Sequence, residues 1–380
     1  MKQSERSVAV IFANLKGNVG DLAILEAMLL DLSKRFPSHS IDVYPHPITK
    51  VDGPRFAEFQ RFSPSFNLKR KTVFDTKTHY WQSVGKKRLH RLDSSREIFS
   101  FAERFMPFFS KFTDYEWICV AGGEQFVGPK LSVCMFSTLL CIQQFNKNIC
   151  AYPFSVRPGI LGIYPKENLS EYFGLLSKPI VVRDGITKGM FDQLSKDSVV
   201  GLDCVYGLRH LARLIAPEAG REVERVIYAV TGQNNFSELC AGVKQVIDGG
   251  RRVELLTTCY PEDGAQIRKI SEIFDIEWHA PMSWQATVAE FKASSLVITN
   301  RLHGLILGSL AETPLLPVAD RKKPEAFVAD AGIPHHAKLP EEITSDLLQK
   351  VDADSALILQ RMTDYCCNAS RLPTGPFALS

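Results

Sequence analysis

The sequence predicts an α/β protein built from two doubly wound domains that face each other across a cleft. Short apolar runs alternate with helical patterns along the chain, which is typical of parallel β-α-β units. The chain has 380 residues, more than one ordinary core accommodates, and this length fits two domains of roughly 150–200 residues each. Polar residues recur directly after the apolar runs, and open α/β sheets bind their ligands at the edge where the carboxyl ends of the strands lie.

The first half of the chain opens with the clearest β-α unit. The apolar run 8–13 predicts a strand, residues 14–20 a glycine-containing loop, and the leucine-rich segment 22–35 a helix with one buried stripe. Asp21 directly precedes this helix and is the expected N-cap. Further strands are predicted at 41–44, 117–121, 149–152 and 180–182, helices at 95–109 and 131–145, and a loop at 153–158.

The second half repeats the alternation after a joint of mixed polarity at 201–220. Strands are predicted at 226–230, 253–257, 296–299 and 315–318, and helices at 236–246, 262–274, 284–293, 303–311, 325–331 and 343–362. We therefore predict a Rossmann-like N-terminal domain over 1–200, a linker over 201–222 and a Rossmann-like C-terminal domain over 223–345. A C-terminal helix and tail over 346–380 would follow, and packing back on the N-terminal domain is one arrangement for it.

Composition argues against several classes of protein. The 45 basic and 42 acidic residues give a net charge of +3, too small to indicate nucleic-acid binding. The apolar stretch 8–15 lacks a cleavage pattern, and the longest apolar run, 131–145, is shorter than the ~20 residues of a membrane span. Nine scattered cysteines without C-x-x-C spacing indicate a reducing cytoplasm and argue against a metal cluster.

A basic segment at residues 69–91 is a local exception to this balance. It holds eight Lys and Arg residues interleaved with Tyr, Trp and His. A solvated surface loop is one interpretation. The other is a docking surface for an acidic glycan or for anionic lipid headgroups, which would place the protein at the inner face of the membrane.

The most informative motif is Asn-Arg-Leu-His-Gly at residues 300–304. It follows the strand predicted at 296–299 and opens an apolar helix, so Arg301 and His303 are expected at the carboxyl edge of a sheet. Arg301 offers a permanent charge with fork geometry for carboxylate or phosphate. His303 exchanges a proton near neutral pH. The motif predicts an anionic substrate and proton transfer in one place.

Three other strand ends carry candidate residues. Asp21, besides capping, is a candidate to orient or deprotonate a hydroxyl, and Glu124 is a candidate second base whose alternative is turn chemistry. Arg183 is a candidate second cationic clamp, and its alternative is a surface ion pair with Asp184. Further candidates for ligand contact are two lysines, which also fit a solvated charge run, and three glycines that allow close backbone approach: Lys322, Lys323, Gly20, Gly122 and Gly123.

The order and spacing of these motifs resemble the polysaccharide pyruvyl transferase family. The resemblance runs from about residue 8 to 335, and its most specific parts are Arg301–Gly304 and Gly20-Asp21. Where the family usually has a third glycine this chain has Glu124, and where it has a serine after the Arg-Asp pair this chain has Thr187. The motifs are Asn18-Val19-Gly20-Asp21, Ala121-Gly122-Gly123, Val182-Arg183-Asp184, Arg301-Leu302-His303-Gly304, and a lysine followed by Phe327 and Gly332.

The resemblance implies a glycosyltransferase-B-like fold and a phosphoenolpyruvate-dependent transferase that forms a ketal on a sugar of a surface polysaccharide or exopolysaccharide. The donor would lie in the C-terminal domain on Arg301 and His303, with Arg183 and Lys322 or Lys323 as further contacts. The acceptor, a glycan or a lipid-linked oligosaccharide, would lie on the side of the N-terminal domain. Oligomeric state, acceptor sugar and linkage position are left open.

The residues fit this chemistry by themselves. The donor carries a carboxylate and a phosphate and needs at least two cationic patches. His303, held protonated beside phosphate, would act as general acid, and Asp21 or Glu124 would accept the hydroxyl proton. No metal and no cofactor are expected.

Two alternatives compete with this prediction. A nucleotide-sugar glycosyltransferase on the same scaffold would place Arg301 and His303 on a diphosphate. A non-catalytic glycan-assembly protein would be expected to lack Arg301 or His303, and both are present.

Overall fold

The structure is a computed structural model, and it describes residues 7–15, 18–45, 54, 57, 59, 67–68, 103–126, 129–177, 179–217, 220, 222–230, 235–281, 283–369 and 375–377. The basic segment 69–91 lies outside these residues, as do residues 16 and 17 of the first loop and residues 95–102 of a predicted helix. The described part of the chain contains no helix with the length and apolarity to cross a membrane.

Strands recur along the chain in the positions that the apolar runs predict, with several short additions. They are β1 (Ser7–Ala13), β2 (Ser40–Pro45), β3 (Asn67–Leu68), β4 (Tyr115–Val120), β5 (Gly123–Gln125), β6 (Ile149–Ala151), β7 (Phe154–Val156), β8 (Ile180–Val182), β9 (Ser198–Val200), β10 (Arg225–Ala229), β11 (Arg252–Leu256), β12 (Trp278–His279), β13 (Leu296–Thr299) and β14 (Leu315–Pro317).

Helices alternate with these strands. They are α1 (Val19–Arg35), α2 (Pro129–Gln143), α3 (Lys166–Phe173), α4 (Gly185–Gln193), α5 (Arg209–Leu214), α6 (Phe236–Asp248), α7 (Tyr260–Phe274), α8 (Trp284–Ala293), α9 (Leu302–Leu310), α10 (Lys322–Ala331), α11 (Ser345–Ala353) and α12 (Ser355–Ala369). Short 3₁₀ turns occur at Glu103–Phe108, Ser110–Asp114, Pro158–Gly162, Cys204–Leu208 and Pro340–Glu342.

The two main sheets have the same topology. The first has the order β3-β2-β1-β4-β6 and the second β12-β11-β10-β13-β14, and the neighbouring strands pair in parallel. This is the doubly wound order, in which the connections reverse at the central strand and leave a crevice at the carboxyl ends. The predicted α/β class with two Rossmann-like sheets is therefore confirmed. The boundaries proposed at 200, 222 and 345 remain a prediction.

A third parallel sheet, β5-β7-β8-β9, extends the first half. Strand β4 passes into β5 through Ala121-Gly122, and β6 passes into β7 through Tyr152-Pro153. The loop predicted at 153–158 is wrong, because Phe154–Val156 forms β7. Pro153 has no N–H to donate and ends one ladder, while Gly123 with φ +96° turns the other strand.

The apolar core is continuous between the two main sheets. Leu22, Leu25, Leu29 and Leu32 are buried as the helical stripe predicts, and they belong to the same apolar cluster as β10 and β13. Helix α1 also contacts α8 and α9 of the second half. The walls of the cleft are thus anchored to a shared core.

Several boundaries differ from the predictions for local reasons. Residues 103–108 form a 3₁₀ turn with Pro107 inside it, not the end of an α-helix. Helix α4, which was not predicted, contains Gly185 and Gly189, and these weaken the helical pattern. The single helix predicted at 343–362 is two helices that part at Asp354.

The C-terminal segment contacts both halves. Helix α12 packs on α9 and α10. The last described residues reach the first sheet, where the ring of Phe377 lies 5.4 Å from Phe36 and 5.1 Å from Trp117, centroid to centroid.

Candidate active site

A cavity of about 780 Å³ lies where the carboxyl ends of the two main sheets face each other. Its walls come from the loop after β1, the start of α1 and β5 on one side, and from the segments after β11 and β13 and the start of α10 on the other. The cleft brings together eight of the predicted site residues: Asp21, Gly122, Glu124, Arg183, Arg301, His303, Lys322 and Lys323.

His303 lies in the first turn of α9 and reaches across to the first half. Its ring packs on the backbone of Gly20, where an added Cβ would lie only 2.1 Å from Cγ and Nδ1 of the ring. The side chain is 14% exposed, and its Nε2 is 3.7 Å from Oδ2 of Asp203. This separation suits an ion pair but is too long for a hydrogen bond.

Asp203 is a site residue that the sequence analysis did not identify. Its Oδ2 accepts a hydrogen bond of 2.8 Å from Nη1 of Arg183, and its Oδ1 accepts one of 3.1 Å from the Val205 N–H. Burial raises the pKa of the Asp203 carboxyl, but His303 and Arg183 outweigh burial and hold that pKa well below its usual range. Asp203 is therefore a buried anion next to His303. Because it follows β9 by three residues, a search for acids after short strands would have found it.

Arg183 does not form the surface ion pair with Asp184 that one interpretation predicted. Its side chain is 5% exposed, and besides Asp203 it donates from Nε to Oγ of Ser155 over 3.0 Å. Asp184 caps α4 by accepting the Thr187 N–H at 2.7 Å, and it also accepts the hydroxyl of Ser155. The guanidinium of Arg183 is thus held within the protein.

Asp21 is not the N-cap of α1, so that prediction is wrong. Helix α1 begins at Val19, and Oδ1 of Asn18 caps it by accepting the Gly20 N–H at 3.0 Å. Asp21 lies in the first turn and lines the cleft, where Nδ2 of Asn14 donates to it over 2.6 Å. Burial, only partly offset by His303 and Arg183, raises the pKa of Asp21 to about 6.

Glu124 forms a salt bridge across the cleft with Lys323, and it also pairs with Arg157. Its Oε1 lies 3.0 Å from Nε of Arg157 and 3.1 Å from Nζ of Lys323. Burial raises the pKa of Glu124, but Lys323 and Arg157 dominate and lower it to about 2. Lys323 in turn has a lowered pKa because of burial and the nearby Arg183.

Arg301 is anchored by a second unpredicted acid. Its Nη2 donates to Oδ2 of Asp263 over 2.6 Å, and Asp263 is 2% exposed whereas 21% of Arg301 remains exposed. Lys322, the first residue of α10, is exposed at the cleft. Arg301, Lys322 and the start of α10 therefore present positive charge to the same cavity.

The described residues contain one group with metal-ligand spacing, formed by Glu254, His279 and Glu290. Nη2 of Arg225 lies 2.6 Å from a carboxylate oxygen of both glutamates. A guanidinium thus occupies the place where a cation would bind, and none of these residues lines the cleft.

Two facing Rossmann-like sheets with a polar cleft between them define a glycosyltransferase-B-like protein. Solved structures agree in fold. UDP-GlcNAc 2-epimerase from Neisseria meningitidis is 11% identical with a TM-score of 0.52 and coverage of 97% of this chain and 95% of that one. A glycosyltransferase from Rickettsia africae is 9% identical with a TM-score of 0.53 and coverage of 97% and 94%. At these identities the likeness shows the fold alone.

A family model described as polysaccharide pyruvyl transferase matches residues 18–321. The chain belongs to the polysaccharide pyruvyl transferase family, as the motifs predict. A search of curated proteins found no match.

Proposed function

We propose that the protein transfers pyruvate from phosphoenolpyruvate to two hydroxyls of a sugar, in a surface polysaccharide, an exopolysaccharide or a precursor of one. The observation that carries this proposal is the position of His303. A group able to donate a proton lines the same cleft as the Asp21 carboxylate, Arg301 and Lys322, and its Nε2 lies 3.7 Å from Oδ2 of the buried Asp203. An enol phosphate needs an acid beside anion-binding groups.

In this proposal the donor lies on the second half of the cleft. Arg301, oriented by Asp263, and Lys322 bind its carboxylate and phosphate, and the start of α10 adds N–H groups. Lys323 also lines the cleft, where its ammonium group pairs with Glu124. The acceptor would approach from the first half, where Gly122 lines the cleft and Gly20 leaves room for the His303 ring. Gly123 does not line the cleft.

The reaction then proceeds in two steps. The imidazolium of His303 gives its proton to the methylene carbon, the first sugar oxygen bonds to the central carbon, and Asp21 takes the hydroxyl proton. Protonated Asp21 next gives its proton to the ester oxygen of the phosphate, and the bond between this oxygen and the central carbon breaks with its electrons on phosphate. The second sugar oxygen bonds to the same carbon, and neutral His303 takes the proton of the second hydroxyl. The products are a ketal and inorganic phosphate. Since the donor supplies both the double bond and the leaving group, this route needs no resident cofactor.

Asp21 suits the role of base better than Glu124. A base works best with a pKa near the working pH, and the pKa of Asp21 is about 6 whereas that of Glu124 is about 2. We therefore assign Glu124 to the charge pairing that positions Lys323 and Arg157.

We propose a cytoplasmic location, where phosphoenolpyruvate would be available. The chain has nine free cysteines, and seven of them are buried. Cys366 is buried, while its neighbour Cys367 is exposed. Contact with the inner face of the membrane through residues 69–91 remains a prediction.

The direct test is incubation with phosphoenolpyruvate and candidate glycan acceptors, free and lipid-linked. The expected result is an acceptor mass increased by one pyruvate less one water, with release of one phosphate. Thermal stabilisation by phosphoenolpyruvate should accompany it. Stabilisation by nucleotide diphosphates or nucleotide sugars, together with no pyruvyl product, would instead indicate the glycosyltransferase alternative.

The pH profile of kcat should report Asp21. Its pKa is raised from 3.8 to about 6, so the carboxylate is available above about pH 6 and is progressively protonated below it. We expect the rate at saturating donor to fall as pH drops through 6. In Asp21→Asn the residual rate should lack this inflection, whereas Glu124→Gln should keep it. Persistence of the inflection in Asp21→Asn would assign it to another group.

A further inference from the structure

A line of charges runs from the third sheet to His303 and crosses between the two halves. We propose that Asp203 is a positioning residue that holds the His303 ring oriented and charged for the reaction, and that Arg183 is a positioning residue that holds the Asp203 carboxylate in place. This inference rests on the proposed function and replaces the expectation that Arg183 clamps the donor.

Arg183 lines the cleft, but its contacts within the protein leave little of its guanidinium to bind a donor. Its side chain is 5% exposed, Nη1 donates to Asp203 and Nε donates to Ser155. Ser155 in turn donates to Asp184, which caps α4. Ser155 and Asp203 therefore hold the guanidinium in place, and the guanidinium in turn orients the carboxylate of Asp203.

Asp203 faces both cations with the same oxygen. Its Oδ2 is 2.8 Å from Nη1 of Arg183 and 3.7 Å from Nε2 of His303. Its Oδ1 accepts the Val205 N–H, which anchors the carboxylate to the turn at Cys204–Leu208. Nε2 of His303 is buried and has no hydrogen-bond partner among the described residues. The buried Asp203 carboxylate thus faces the ring that α9 contributes from the second half.

Four charged groups share a cluster with His303: Asp203, Asp21, Arg183 and Lys323. Opposite charges favour a protonated ring and like charges disfavour it, so in this proposal the two carboxylates act in one direction and the two cations in the other. Removal of the Asp203 charge and removal of the Arg183 charge should therefore shift the pH midpoint of the His303 titration in opposite directions. A residue that only supported the fold would not produce this pair of effects.

The test is NMR titration of the histidine rings in the full chain, with the His303 signal assigned by its loss in His303→Gln. In Asp203→Asn, which keeps the shape and the cap, the His303 midpoint should move down by about one pH unit. In Arg183→Gln it should move up. If Arg183→Gln does not fold, Arg183→Lys, which keeps the charge but loses the fork, should leave the midpoint within a few tenths of a unit of the wild type. An unchanged midpoint in Asp203→Asn, or a downward shift on loss of the Arg183 charge, would overturn the proposal.

Kinetics provide the second measurement. Asp203→Asn should lower kcat about 10-fold or more above neutral pH and change the donor KM little, because a less basic ring is less often charged. Asp263→Asn is the matched control, since this buried acid holds Arg301 and its loss should raise the donor KM. A raised donor KM in Arg183→Gln with an unmoved midpoint would restore Arg183 as a clamp. The titration needs no turnover, so a failure of the proposed reaction remains distinguishable from a failure of this inference.

Discussion

His303→Gln should lower pyruvyl transfer by roughly 10²–10⁴-fold, the range typical of losing a general acid. Glutamine can occupy the space against Gly20 but cannot deliver a proton to carbon. Donor binding should persist because Arg301 and Lys322 are untouched. Phosphate release and ketal formation measured at saturating donor would check this expectation, with thermal shift by phosphoenolpyruvate as the measure of binding.

The matched control for this variant is His335→Gln. His335 also pairs with an acid, 2.6 Å from Oδ2 of Asp354, but it lies outside the cleft. It should retain wild-type turnover. Wild-type turnover in His303→Gln would show that another group supplies the proton.

Gly20→Ala should have the second largest effect. The added methyl carbon would lie 2.1 Å from two ring atoms of His303, so the ring has to move. A displacement of about 1 Å in a reacting group costs on the order of 100-fold in rate. The helix itself should tolerate alanine, which is a better helix former than glycine. We expect kcat to fall about 100-fold while the circular dichroism spectrum is unchanged.

Gly185→Ala is the control for Gly20→Ala. Gly185 also lies in the first turn of a helix, and a Cβ there meets no atom within 4 Å. Gly185→Ala should leave kcat unchanged and should not lower the free energy of unfolding. Equal activity of the two alanine variants would mean that the ring of His303 need not rest on Gly20.

The sequence predicted the fold well where elements are long and periodic. Helix α1 and strands β1, β8 and β13 follow from leucine spacing and β-branched runs. The third sheet was missed as a unit because its other strands, β5, β7 and β9, are only three residues long and resemble loop. Pro153 and Gly122 also indicated breaks in the chain where two of these strands begin. Such strands depend on neighbours distant in sequence for their pairing, which local patterns do not report.

The sequence allowed the residues that line the cleft to be predicted, but not the acidic side chains with which they pair. Residues after strand ends were correctly expected at one cleft, and Arg301 and His303 do lie there. Their partners, Asp263 and Asp203, are 38 and 100 residues away in sequence, as the numbering gives. Only the fold brings these acids to the cations. The capping prediction failed for a related reason, since Asn18 and Asp21 are both good caps and local sequence did not choose between them.

A backbone hydrogen bond, which depends on no side chain, also joins the two halves. The N–H of Val19, at the start of α1, donates to the carbonyl of Thr258 over 2.9 Å. Every residue type except proline supplies that N–H, and every type supplies that carbonyl. Side chains on both walls can therefore diverge through mutation while this backbone bond continues to align the walls.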